Sequence, residues 1–228
     1  DNFRIWRSAN SRGFNAALVD GVSRHYRKHK SQHNLLAVAL AEELSQTNSS
    51  NTVYDPYSLL CSAFDKVKHL EGRAMAATVS IEGNRLHCAL IGSVGIFVIR
   101  AGLIQFELRG EGENYFFPPL LQQFGNLDQV VTGSTEIQHN DAIVVVNEGI
   151  LDNVEKQILV EKVMVGDRHD KNKAKMLTQI ASQISLGIAP TPFSVEAQKV
   201  GFTWEGGRVG DMSAMLFVTT PRFQENQQ

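Results

Sequence analysis

Residues 74–108 read AMAATVSIEGNRLHCALIGSVGIFVIRAGLIQFEL. The stretch divides into short runs at 74–82, 85–92, 94–100 and 103–108, each β-branched or aromatic and separated by glycine-containing turns such as Glu82-Gly83-Asn84. Runs of this kind are strands. Turns this short force adjacent strands antiparallel, because a parallel pair needs a crossover of roughly a dozen residues or more. The fold class that follows is α+β with antiparallel sheet, and the strand–helix rhythm of a doubly wound parallel sheet is excluded.

Working outward, residues 3–6 and 13–19 (GFNAALV) read as a strand hairpin, followed by an apolar-periodic helix over 33–46. The polar stretch Gln46 to Asn51 is a loop, and Asp55-Pro56 opens a second helix to about Leu70, with proline in the first turn. Downstream, 110–132 carries Pro118-Pro119 and many aromatics and reads as an irregular excursion. Its segment Glu113 to Phe124 is apolar for a connection, to be explained by burial or, if exposed, by a partner. Strands near 134–138 and 142–147 come next, then helices near 154–163, 171–186 and 192–199, and a closing strand from Met212 to Thr219. The mixed-charge segment 168–175 reads as helix surface. Two antiparallel sheets flanked by helices bury this set economically. Without an internal repeat or a linker, residues 1–220 read as one domain and 221–228 as a polar tail.

The chain has 228 residues, 43% hydrophobic and 20% charged, enough apolar material for a sizeable core. A net charge of −2 gives no overall pull toward nucleic acid or a membrane surface. No apolar run approaches the ~20 residues that span a bilayer, and Asp1-Asn2-Phe3-Arg4 has no signal-peptide core. Cys61 and Cys88 are too few for a disulfide framework or a cysteine-rich zinc site. The expectation is an intracellular globular protein.

Walker, HExxH, GxSxG, CxxC and strand-linked GxGxxG motifs are absent. His25, His29 and His33 share a helical spacing, either as a metal set or as part of a solvated basic face. The cluster Arg24-His25-Tyr26-Arg27-Lys28-His29-Lys30 is either a solvated loop or a contact for RNA phosphates or an acidic protein. More informative are three acidic residues placed where a strand run meets a glycine turn: Leu18-Val19-Asp20-Gly21-Val22, Asn147-Glu148-Gly149-Ile150-Leu151-Asp152-Asn153, and Gly206-Gly207-Arg208-Val209-Gly210-Asp211-Met212-Ser213. Each alone is ordinary turn chemistry.

Together, their order and spacing resemble the metal-dependent protein phosphatases of the 2C type (the PPM family). That family carries a first-strand acidic pair, a DG, a GDS, a DGLFDN box and a closing GG-K-x-D-D/N-I-T strand. The similarity runs along essentially the whole chain and is nearest to the compact, mitochondrial-type branch, through Thr191-Pro192-Phe193-Ser194-Val195-Glu196-Ala197 and Gly206-Gly207. It implies the PPM four-layer α/β-β/α sandwich and a site for two Mg²⁺ or Mn²⁺ ions at one edge of it, with a bridging hydroxide attacking phosphate in line. By this resemblance Asp20 matches the bridging aspartate, Gly21 the neighbouring carbonyl ligand, and Asp1 the second member of the first-strand pair.

Several positions depart from the pattern. Glu148 stands one methylene longer than the box aspartate, Gly210 replaces the first acidic residue of the closing box, and Ser93 replaces the aspartate of GDS. Asp211 is adjacent, but strand alternation turns successive side chains to opposite faces. The vestigial site is therefore Asp1, Asp20, Gly21, Glu148, Gly210 and Asp211, with Asp20, Gly21 and Glu148 as the residues that would hold any metal. Phosphate or partner contacts fall to Arg24, Arg27, Lys28, Lys30 and Arg73. The reading is a catalytically inactive type 2C-like chain, without a resident cofactor, serving as a structural or scaffold subunit among protein partners; the resemblance points to mitochondria. The alternatives are a weakly active Mn²⁺- or Mg²⁺-dependent serine/threonine phosphatase and a module that binds a phosphorylated partner.

Overall fold

A computed structural model describes residues 2–6, 13–22, 35–46, 55–110, 118–167 and 169–220. The chain opens with β1 (Asn2–Trp6), β2 (Gly13–Gly21), α1 (Leu35–Gln46) and α2 (Pro56–Val67). The meander follows as β3 (Arg73–Glu82), β4 (Arg85–Ile91), β5 (Gly95–Arg100) and β6 (Leu103–Arg109). Then come β7 (Leu121–Gln122), β8 (Val131–Glu136), β9 (Ala142–Val146), α3 (Glu148–Leu151), α4 (Lys156–Met164), α5 (Lys173–Ser185), α6 (Pro192–Lys199) and β10 (Ala214–Val218).

The strands form two antiparallel sheets, as the short turns require. One runs β1-β2-β3-β4-β8, with β7 paired to the start of β3; the other runs β10-β9-β5-β6. The chain crosses between the sheets at the tight turn from β4 to β5. Alternation along β2 sorts its side chains: Ala17 and Val19 face α1 and α2, where Leu36, Leu40, Leu60 and Phe64 pack, while Ala16 and Leu18 face Val79, Leu90, Ile96 and Val145 between the sheets. On the far side, Phe97, Val144 and Val146 of the second sheet pack against Leu159, Leu177 and Ala181 of α4 and α5. The result is helices, sheet, sheet, helices. Each fully buried leucine or phenylalanine in these layers contributes on the order of 2–3 kcal/mol of transfer free energy.

Local chemistry sets the helix ends. Asp55 caps α2 by accepting from the Ser58 N–H at 2.9 Å, with Pro56 in the first turn. Thr191 and Ser194 cap α6 reciprocally. Lys173 departs from its expected surface role: it is 3% exposed and donates its ammonium to the carbonyls of Val163 at 2.8 Å and Val165, at the end of α4. A cation there satisfies carbonyls that the helix itself leaves unpaired.

Three other readings change. The Glu148-Gly149 turn is the first turn of the short helix α3. The closing strand starts at Ala214, so Asp211 precedes it and strand alternation does not govern its direction. The excursion contains β7 and splits in character, with Leu121 fully buried and Phe124 exposed; residues 111–117, like the tail 221–228, lie outside the described residues.

Candidate functional site

Alternation carries β2 and β9 to one end of the sandwich with a polar residue each. After Ala16 and Leu18, the next inward position of β2 is Asp20; after Ile143 and Val145, the next inward position beyond β9 is Asn147. The two meet across the sheets, Asn147 Nδ2 donating to Asp20 Oδ2 at 2.8 Å. The same amide donates to the carbonyl of Asp211 at 2.9 Å, and its Oδ1 accepts from the Ser213 N–H at 2.9 Å. One side chain thus ties β2, the start of α3 and the approach to β10. Asp20 is 5% exposed, and burial pushes its carboxyl from the ordinary 3.8 up to about 6. The Asn147 bond opposes that rise, and the nearby charges of Asp211 and Glu148 add to it.

A second cluster adjoins the first. Gly149 lies so close to the closing segment that a Cβ there would meet the Asp211 carbonyl at 2.1 Å, which explains a glycine after Glu148. Arg208 Nη1 donates to Glu148 at 2.9 Å and to Asp152 at 2.6 Å, and the guanidinium lies 4.9 Å from the centre of the Phe193 ring. Burial works against the Arg208 charge, but the two carboxylates outweigh it and raise the pKa above the ordinary arginine value. Asn153 fixes the backbone of this segment, accepting from the Arg208 N–H at 2.9 Å and donating to the carbonyls of Arg208 and Gly149 at 2.8 Å.

The structure therefore gathers Asp20, Gly21, Glu148, Asp211 and Gly210 at one end. Gly210 is exposed, and a Cβ built on it meets nothing within 4 Å. Ser93 sits in the β4–β5 turn, its N–H 3.2 Å from the sulfur of Met75, the residue opposite Asp20 in register. Arg73 is exposed at the start of β3, and its carbonyl accepts from the Val22 N–H at 2.9 Å. Asp1, Arg24, Arg27, Lys28 and Lys30, with His25, His29 and His33, lie outside the described residues. Asn147, Asp152, Asn153 and Arg208 are the functional-site residues that spacing alone did not single out. Asn147 was findable as the next inward position after Val145.

For a metal, the donors are the Asp20 carboxylate, the Gly21 carbonyl and Glu148. One Asp20 oxygen already accepts from Asn147 and one Glu148 oxygen from Arg208. Among the described residues no three His, Cys, Asp or Glu side chains converge to hold a metal ion. Taken alone, the described donors are fewer than the several converging oxygens that a pair of hard dications requires, and Asp1 lies outside the described residues.

No protein-family model matches the chain. It is 24% identical over 183 residues to "Probable protein phosphatase 2C 80" of Arabidopsis thaliana, covering 77% of this chain and 44% of that protein. The chain spans 44%, 36% and 59% of the length of the curated relatives it matches first. Among solved structures, the photosystem II phosphatase PBCP superposes with a TM-score of 0.84 at 23% identity, over 96% of this chain and 90% of that one. This is the type 2C phosphatase fold. The catalytic domain of the serine/threonine phosphatase PstP, solved with two manganese ions, shares the fold at a TM-score of 0.59 and 14% identity, over 79% of this chain and 85% of that one. The names of the relatives and the solved neighbours together support the type 2C (PPM) family. The expected four-layer sandwich is the one observed. No helix among the described residues is long and apolar enough to cross a membrane.

Proposed function

We propose that this chain uses the type 2C fold as a structural or scaffold subunit of a larger assembly and has given up two-metal phosphate hydrolysis. The observation that carries the reading is the engagement of Glu148 by Arg208 at 2.9 Å. The second carboxylate of the site is committed to a cation of the chain itself, and the third position, Gly210, offers no donor. Of the two carboxylates that would hold a metal, Asp20 and Glu148, Asp20 is then the one not engaged by a cation among the described residues. A mitochondrial setting belongs to the same proposal and comes from the branch that the closing segment resembles.

The names of the relatives favour a second reading, a Mn²⁺- or Mg²⁺-dependent serine/threonine phosphatase of low activity working through Asp1, Asp20 and Glu148. Hydrolysis of p-nitrophenyl phosphate across Mn²⁺ and Mg²⁺ titrations decides between them. The natural chain is expected to stay at background. The Gly210→Asp, Ser93→Asp double variant is expected to gain metal-dependent turnover, since the space beside Gly210 admits a side chain. Turnover by the natural chain that disappears in Asp20→Ala would establish the second reading instead.

A further inference from the structure

Beyond the acidic end of the sandwich, the loop after α6 carries a surface that the phosphatase fold does not explain. Gln198, Gly201, Phe202, Thr203, Trp204 and Glu205 line an open cleft of about 600 Å³. Phe202 is 61% exposed and Trp204 42%, unusual for large aromatic side chains. The cleft is built. The Phe202 N–H donates to the Ala197 carbonyl at 2.9 Å, the Gln198 side chain donates to the Trp204 carbonyl at 3.1 Å, and the Trp204 ring meets the Phe193 ring edge-on at 5.2 Å. Gly206, at φ +73°, lies so close to the end of α5 that a Cβ there would meet the Gly187 carbonyl at 2.1 Å. That close approach lays the residue after Glu205 against the segment that carries Leu186 and Ile188, 76% and 86% exposed. Two large apolar side chains thus stand exposed in the cleft, and two more on the segment against which Gly206 packs.

Charge selects the occupant. Glu205 is the only ionisable side chain lining the cleft, and it has no ion-pair or hydrogen-bond partner among the described residues. An exposed indole and phenyl ring next to an unpaired carboxylate attract a cation twice over, through the negative ring faces and through the carboxylate. An acidic or phosphorylated segment would be repelled. A free small cation would leave Leu186 and Ile188 exposed.

We propose that this cleft docks an arginine or lysine of a partner polypeptide between Trp204 and Glu205, with apolar residues flanking that side chain seated on Phe202, Leu186 and Ile188. The inference holds whether or not the acidic site turns over. The cleft does touch that site, because the Phe193 ring that meets Trp204 also meets the Arg208 guanidinium.

The test is fluorescence anisotropy with a fluorescein-labelled peptide carrying one central arginine, two leucines on either side and Gly-Ser ends. Matched peptides carry glutamine or glutamate at the centre. The arginine peptide is expected to bind about tenfold more tightly than the glutamine one, the scale of one cation contact of this type. Glu205→Lys, an exposed change that leaves packing alone, is expected to invert the preference toward the glutamate peptide. Trp204→Ala is expected to abolish binding, and Glu205→Lys keeps the idea testable if loss of the Phe193 contact unfolds that variant. Equal affinities for the arginine and glutamine peptides, or an unaltered preference in Glu205→Lys, would overturn the proposal. So would a dimer in sedimentation that Phe202→Ser dissolves, since a second copy would then be the occupant.

Discussion

Two buried aspartates sit at opposite ends of the sandwich and are treated in opposite ways. At the end away from the acidic turns, Asp141 is fully buried and accepts from Arg100 through both carboxylate oxygens, at 2.7 and 2.8 Å, and from the Gln138 N–H at 2.7 Å. Its own N–H donates to the Thr219 hydroxyl oxygen at 2.9 Å, so the ends of β5, β9 and β10 are joined around one charge. Asp20, at the other end, is 5% exposed and is held by a neutral amide, with Glu148 and Asp211 adding negative charge nearby. A buried charge that is ion-paired and hydrogen-bonded is a joint. A buried charge held by a neutral amide, whose favourable contacts do not outweigh its burial, is a cost the fold carries, and such costs gather where a chain has, or had, chemistry to do.

The largest effect expected from breaking this comparison is at the satisfied end. Asp141→Asn keeps the shape but sets an NH₂ group against donors from Gln138 and Arg100. The melting temperature is expected to fall by about 8–10 °C in calorimetry, as for a buried pair broken by loss of one partner. A change under 2 °C would mean that the network decorates the strand ends without joining them. Next in size is Arg208→Met, which keeps apolar contact with Phe193 but strips the cation from Asp152, a residue 3% exposed. It is expected to cost about 2 kcal/mol in urea unfolding, less than a fully buried pair because Arg208 is itself partly solvated. Restoration of stability by an added Asp152→Asn would show that loss of the cation beside Asp152 is the cause.

How far such contrasts were legible depends on how far apart the partners stand in the chain. The meander from Ala74 to Leu108 announced its pairing through short turns, and its strand bounds shift by a residue or two at most. Asp20 and Glu148 were visible because a carboxylate beside a strand-end glycine carries its signal within a few residues. The short helix α3 was not, since four residues of Glu-Gly-Ile-Leu do not fill two helical turns and read as a strand end. Asn147 and Arg208 stayed hidden for another reason. Their roles are fixed by partners 127 and 60 or 56 residues away, and an Asn after a strand or an Arg after two glycines looks like loop chemistry until the sheets are stacked. Lys173 belongs with them: a lysine in a charged stretch reads as surface until α4 ends against it.

An effect of similar size has the opposite sign, and it sharpens the comparison most. Asp20 titrates at about 6 when folded and at the ordinary 3.8 when unfolded. Above pH 6 both states are ionised, and the folded chain carries the cost of the charge, about 3 kcal/mol for a shift of that size. Between pH 6 and 3.8 the folded state takes up its proton first, so the cost shrinks as pH falls; below 3.8 both states are protonated and the cost is gone. Asp20→Asn removes the charge and still offers Asn147 an acceptor oxygen. With metals chelated, this variant is expected to be more stable than the natural chain by about 2 kcal/mol at pH 8, with the gap closing toward zero near pH 4. Neutralising one buried aspartate should then strengthen the fold and neutralising the other weaken it, under one assay. A gap that stays constant from pH 4 to 8, or a loss of stability in Asp20→Asn at pH 8, would mean that Asp20 is as well paired as Asp141. Its partner would then have to come from outside the described residues, and Asp1 is the first place to look.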